Sequence, residues 1–168
     1  MTHHLFFALK LFAALGCGLV AGIFFAFSTF VMSALARLQP PQGIAAMQSI
    51  NIAVINPWFM TAFLGTAVAC LFLSVFALLK WQQPVSAYML VGCLLYLVGT
   101  ILVTMACNVP LNDALAMVSD RPSAIAKPDS TDGANLWARY LTDWTFWNHI
   151  RTIAALAAVA VLTIALGK

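Results

Sequence analysis

The chain has 168 residues, 63% of them hydrophobic and only 8% charged, and its mean hydropathy is +0.96. A soluble domain of that size would leave too much apolar surface in water, which excludes a water-soluble enzyme or carrier. The formal net charge of +3 carries no signal for nucleic acid.

At 1.5 Å per residue about 20 apolar residues cross the hydrocarbon, so the length has room for roughly four crossings and little else. Charge spacing marks them out. No charged residue falls between Lys10 and Arg37, between Arg37 and Lys80, between Lys80 and Asp113, or between Arg151 and Lys168. The gaps predict spans from about Leu5 to Leu35, Pro57 to Leu79, Val85 to Cys107 and Leu136 to Leu166. Lipid cannot satisfy an open sheet edge, so the spans are helices. The expected fold is all-α: a single domain over the whole chain, built as a four-helix transmembrane bundle running up-down-up-down, with a short interfacial helix and a polar cap between helices three and four.

The first apolar run, about 26 residues after Lys10, is too long for the 7 to 15 residues of a cleavable signal and reads as a retained span. Its Ala14, Gly18 and Gly22 recur every fourth position, which suits close helix packing. Met1, Thr2, His3 and His4 can chelate Cu²⁺ or Ni²⁺ with the terminal amine, although a frayed end is the simpler reading. After Gln39, Pro40, Pro41, Gln42 and Gly43, the stretch from Ile44 to Ile55 is amphipathic and fits a helix lying in the interface. Trp81, Gln82, Gln83 and Pro84 make a tight turn, with the proline at a helix start. The longest connection, Asn108 to Asn135, holds Pro110, Pro122, Pro128, Gly133 and four of the five acids. It reads as a mostly irregular polar segment with room for a short helix from Asp113 to Val118.

Four spans put both termini and the Trp81 turn on one side, with Lys10, Lys80, Lys168 and no acid. The other side carries Arg37, Arg121, Lys127, Arg139 and Arg151 together with every Asp. Basic residues alone give a mixed vote, and the acid-rich setting of the second group tips it towards cytoplasmic termini. Cys17, Cys70, Cys93 and Cys107 all lie within spans and form no CxxC pair, so they read as small hydrophobes rather than loop disulfides.

Polar residues inside or beside the spans carry the functional signal. The start of span two, the end of span three and the start of span four meet at one leaflet, which brings Asn51, Asn56, Asn108, Asn112, Asp113, Asn148, His149 and Arg151 to similar depth. Counting back about 20 residues from Lys168 sets His149 at the hydrocarbon boundary and Arg151 just inside it. Such groups are costly in lipid and face a protein interior or a wet cavity. On the fourth helix Trp137, Tyr140, Leu141, Trp144, Asn148 and Arg151 share one face, while His149 points roughly 100° away from Asn148. Arg139 and Asp143 have the i,i+4 spacing of a solvated ion pair.

Each of these has a plainer reading. Trp137, Tyr140 and Trp144 suit an interfacial belt. The asparagines can cap helix ends, Asn56 before Pro57 above all. A lone His149 can be structural, and by itself is a poor metal site. Arg151 needs a partner: an acid such as Asp113, an anionic lipid head group or a substrate oxygen, and within the protein it is expected to pair inward with Asp113 or with Asn side chains.

The strings FAFSTFVMSA (Phe25 to Ala34), NPWFM (Asn56 to Met60), NVPLND (Asn108 to Asp113) and WTFWNHIR (Trp144 to Arg151) resemble the bacterial membrane family with the DUF1772 domain, grouped with anthrone oxygenases. Ser33 stands where that family's proline is expected after the Val-Met pair. The resemblance covers nearly the whole chain and implies a four-span protein of the bacterial cell membrane. For fungal members of polyketide pathways it implies oxygenation of an anthrone to an anthraquinone, a monooxygenase reaction.

Such a reaction without metal or flavin needs a base to form the phenolate and donors to hold the anions that follow. On this reading His149 is the base, Arg151 with the amides of Asn108 and Asn148 the donors, and Asn56, Trp58, Phe59, Asn112, Asp113 and Trp144 complete a pocket for a flat aromatic. No GxGxxG, CxxCH, HExxH or P-loop occurs, so no cofactor and no metal is expected. A second reading uses the same pocket without catalysis, for membrane lipid or a quinone-like small molecule, or as a subunit of a larger complex. Transport is weaker, because no inverted repeat is visible. Association into a homo-oligomer is left open.

Overall fold

Three of the helices begin on a proline, whose missing N–H is one the first turn would leave unpaired anyway. The chain was analysed as a computed structural model that describes residues 2–117 and 131–168. It contains α1 (His4–Leu35), α2 (Pro40–Ala53), α3 (Pro57–Leu79), α4 (Pro84–Ala116) and α5 (Thr131–Leu166). Gln39, Asn56 and Gln83, just before the prolines, are extended, as the proline ring requires of the residue before it. Helices α1, α3, α4 and α5 are each long and apolar enough to cross a membrane, and the chain is a multi-pass membrane protein.

The predicted second span coincides with α3. The third does not end at Cys107 but continues to Ala116, absorbing Asn108 to Asp113 and most of the separate helix expected at Asp113 to Val118. What remains of the expected polar cap, residues 118–130 with Arg121, Pro122, Lys127 and Pro128, lies outside the described residues. So do the side chains of residues 1–3, and with them the terminal chelate. The fourth span starts earlier than expected, at Thr131. The helix expected in the interface begins at Pro40 rather than Ile44 and ends at Ala53.

Pro110 does not stop α4, because the turns before it are widened. Leu97–Leu102 and Thr104–Asn108 are wound as π-helix, and the N–H of Val109 reaches back five residues to the carbonyl of Thr104. A wide turn relieves the clash between a proline ring and the preceding turn. Helix α1 has a similar π turn at Phe27–Val31, closed by the Met32 N–H on the Phe27 carbonyl. Hydroxyls take up carbonyls beside both turns: Thr29 Oγ1 donates to Phe25 O and Thr104 Oγ1 to Thr100 O, each at 2.7 Å.

Helices α1 and α4 each pack against both α3 and α5. Along α1 and α3 the contacts run in reverse order: Phe6 meets Phe76 at 4.3 Å between ring centroids, Gly16 meets Thr66, and Phe24 meets Phe63 at 6.4 Å. Lys10 is buried and donates to the carbonyl of Ala165 at 2.9 Å, filling one of the acceptors the last turn of α5 leaves open. The mid-membrane core is built from residues such as Val20, Leu73, Met89, Tyr96 and Leu162, with the free thiols of Cys17, Cys70 and Cys93 among them. A second core lies beneath α2, where Ile44 and Met47 pack with Leu115, Trp137, Tyr140 and Trp144.

The expected Ala14, Gly18 and Gly22 stripe is not where backbones close up. A Cβ on Gly18 would meet only Val159, at 3.8 Å, and one on Gly22 nothing within 4 Å. The close approaches are elsewhere. A Cβ on Gly43 would lie 2.6 Å from the Trp137 ring, and one on Gly99 would strike the Cβ of Ala154.

Candidate functional site

Helix α4 carries Thr100, Thr104, Asn108 and Asn112 at every fourth position. In a regular helix a four-residue step overshoots one turn by about 40°, so such a stripe would drift. The wide turns of α4 hold more residues each and keep the stripe in line. Opposite it, α5 presents Trp137, Tyr140, Trp144, Asn148 and Arg151, all buried.

Arg151 is 4% exposed. Its Nη2 donates to Asn148 Oδ1 at 2.7 Å and its Nη1 to Thr104 Oγ1 at 3.3 Å. The guanidinium carbon sits 4.2 Å from the centroid of Phe24 and 5.0 Å from that of Trp144, so the cation lies against two aromatic faces. Nε has no hydrogen-bond partner among the described residues.

Asn148 is wholly buried and ties α5 to α1. Its amide nitrogen donates to Phe24 O at 2.8 Å and to Ser28 Oγ at 2.7 Å, across the π turn of α1. Thr152 Oγ1 donates to Asn148 O at 2.8 Å and lies 3.0 Å from Ser28 Oγ. A hydroxyl has one proton to give, so Ser28 donates to Thr152 and the polar circuit closes on itself. The amide oxygen of Asn148 is thereby left to Arg151.

Trp144 is fixed at both ends. Asn108, also wholly buried, donates to Trp144 O at 3.2 Å, while its own Oδ1 has no partner among the described residues. Asn112 Oδ1 accepts from Trp144 Nε1 at 2.9 Å and from Tyr140 OH at 2.8 Å. Trp137, Tyr140 and Trp144 stack in series, with centroids 5.6 and 6.3 Å apart. The stripe is therefore an internal aromatic wall under α2 rather than an interfacial belt facing lipid.

A cavity of about 180 Å³ opens in front of Arg151. Asn51, Thr104 and Asn112 are its other polar residues, Phe24, Phe27, Phe59, Phe63 and Trp144 its aromatic walls, and Ile23, Ile55 and Val109 its exposed, wholly apolar rim. The lining contains no Asp, Glu, His, Lys or Cys.

The expected site residues divide. Asn108, Asn112, Trp144, Asn148 and Arg151 come together as one cluster. Asn56 caps α3 instead: its Oδ1 accepts from the Phe59 N–H at 3.0 Å, and its Nδ2 donates to Ala53 O at 2.9 Å. Trp58 is 88% exposed and does not wall the cavity. Asp113 is exposed, and Arg151 takes Asn148 and Thr104 as partners in its place. His149 lines a separate open groove of about 380 Å³ with Ser28, Ser33, Thr142, Thr145 and Phe146. Among the described residues no three of His, Cys, Asp and Glu converge to hold a metal ion. Phe24, Ser28 and Thr104 are site residues the sequence reading missed. The every-fourth-residue polar run on α4 would have found Thr104, but nothing in the sequence pairs Ser28 with Asn148.

A family model described as anthrone oxygenase matches residues 59–161, more than half of the chain. The match includes Thr104, Asn108, Asn112, Trp144, Asn148, His149 and Arg151, and leaves out α1 and α2. No curated protein and no solved structure matches the chain.

Proposed function

Because the chain belongs to the anthrone oxygenase family, we propose that the cavity in front of Arg151 binds a flat phenolic or anthrone-type aromatic and that O₂ oxidises it there. The observation that carries this reading is a buried guanidinium set between aromatic rings and facing a cavity with aromatic walls. Phenyl walls favour a planar ring, and the guanidinium with the amides of Asn51 and Asn112 suits its oxygen.

The chemistry needs no outside reductant. A methylene between two rings becomes a carbonyl: the carbon loses two hydrogens, gains one atom of O₂, and the other oxygen leaves as water with those two hydrogens. Removing one proton gives an enolate that can pass an electron to O₂, and a cation beside the enolate oxygen stabilises the charge during that step. Arg151 is the group we assign to this task. Asn148 and Thr104 act through it as positioning residues, since each holds one guanidinium nitrogen. His149 opens on another groove, so as a base it would serve a ligand there and not one beside Arg151. We place the protein in the bacterial cell membrane, up-down-up-down with cytoplasmic termini, where the apolar rim meets the bilayer.

A second reading has its own observation. The cavity lining offers no titratable base, which suits a pocket that only holds a quinone-like molecule or lipid. Oxygen uptake separates the two. Purified protein in lipid nanodiscs, given an anthrone under ¹⁸O₂, is expected to form the anthraquinone with one labelled carbonyl, and Arg151→Gln to lose most of that rate. Binding of the anthrone without oxygen uptake above the protein-free rate would leave only the non-catalytic reading.

A further inference from the structure

Resting on the reading of this cavity as an aromatic site, we infer that its ligand is held as an oxyanion: an acidic aromatic alcohol or enol that gives its proton to solvent and binds Arg151 ionised. A guanidinium has five N–H donors, and the described residues engage two of them. Both partners are neutral. The side chains that face Arg151 are Phe24 from α1, Thr104 from α4, and Trp144 and Asn148 from its own helix. Asn51 of α2, Phe59 and Phe63 of α3 and Asn112 of α4 share the cavity. None is a carboxylate. The phenol of Tyr140, on the same face of α5, gives its proton to Asn112.

A buried cation without a counter-charge is costly, and the one open side of this one is the cavity. A neutral ligand would leave that imbalance in place, whereas an anion removes it. The aromatic walls and the small volume favour a ring oxygen over a lipid phosphate, whose two acyl chains the cavity has no room to cover. The lining has no base to take the proton, so ionisation must come from the ligand's own acidity, raised by the guanidinium.

The test titrates 2-naphthol by absorbance in phosphatidylcholine nanodiscs with and without the protein. Bound naphthol is expected to ionise at least about one pH unit lower than naphthol in protein-free nanodiscs, which equals a tenfold preference for the anion. Its methyl ether, the same shape without an acidic O–H, is expected to bind at least about tenfold more weakly at high pH. Arg151→Gln should abolish the shift and Arg151→Lys keep part of it. The wild-type comparison of the two ligands decides the matter even if neither variant folds. Equal binding of the ether, or an unshifted midpoint, overturns the inference and leaves the aromatic pocket standing. Binding of neither ligand overturns the proposed function together with it. Displacement of naphtholate by phosphatidylglycerol in place of phosphatidylcholine would make a lipid phosphate the occupant, and overturns it too.

Discussion

His149 and Arg151 stand two positions apart on α5, so at about 100° per residue their side chains leave the helix some 200° apart. Asn148 and Arg151, at i and i+3, share a face and bond directly. This difference decides what each substitution does. Asn148→Ala removes two donors and the acceptor of a buried cation, and is expected to cost about 2–4 kcal/mol. Asn56→Ala removes only a helix cap and should cost about 1 kcal/mol. Thermal unfolding in detergent gives the ranking, and an Asn148→Ala midpoint no lower than that of Asn56→Ala would show that the Asn148 circuit does not bear on the fold. His149→Ala should leave naphthol affinity at the Arg151 cavity within about twofold, since the two groups share no partner. Helical phase made the separation of His149 from Asn148 legible in the sequence. The sequence offered Arg151 either Asp113 or Asn side chains as inward partners, and the amide is the one it takes. The choice was not legible, because it depends on α4 continuing through Pro110 and leaving Asp113 exposed.

Among the elements, the π turns of α1 and α4 are placed where the site needs them: Ser28 lies in one, Thr104 and Asn108 in the other. Charge gaps and apolar length located the spans well, since both follow directly from the thickness of the hydrocarbon. They say nothing about wide turns, which arise from a proline and from hydroxyls competing for carbonyls. For that reason the sequence reading ended span three at Cys107. Pro110→Ala tests the connection. It restores the missing N–H and permits a regular helix, so stability should hold or rise, while the four-residue polar stripe drifts and naphthol affinity falls about tenfold. Unchanged affinity in a folded variant would show that the wide turn does not position Thr104 and Asn108. Helix α2 is a second case. Gly43→Leu would push into the Trp137 ring and should cost about 1–3 kcal/mol. Because α2 supplies Ile50 and Asn51 to the cavity, the same variant should weaken naphthol binding, and intact affinity would mean that α2 stays docked by another route.

For the whole molecule, the contacts along α1 and α3 run in reverse order. Lys10 and Phe24 of α1 likewise meet Ala165 and Asn148 of α5 in reverse order. That order supports the proposed back-and-forth path, which sets the Lys80 turn on the side of the termini and Leu38 on the other. The charges that set orientation are fewer than the sequence suggests. Arg151 is buried in the bundle and Lys10 is bonded to a helix end, so neither lies free at the surface to be counted. Among the described residues Lys80 and Lys168 remain on one side and Arg37 and Arg139 on the other, with Arg121 and Lys127 outside the described residues. Basic residues alone therefore do not favour the first side, and the proposed cytoplasmic termini rest on the acid-rich setting of the second. The expected outcome is tested by Lys80→Cys and Leu38→Cys in intact cells with a charged, membrane-impermeant maleimide. Cys17, Cys70 and Cys93 are buried, and the wild-type protein reports any background from Cys107. Labelling of the residue-38 thiol from outside, with the residue-80 thiol labelled only after lysis, places the Arg151 cavity in the outer leaflet. The reverse result would move the cavity to the cytoplasmic leaflet, and labelling of both thiols from outside would refute the back-and-forth path itself.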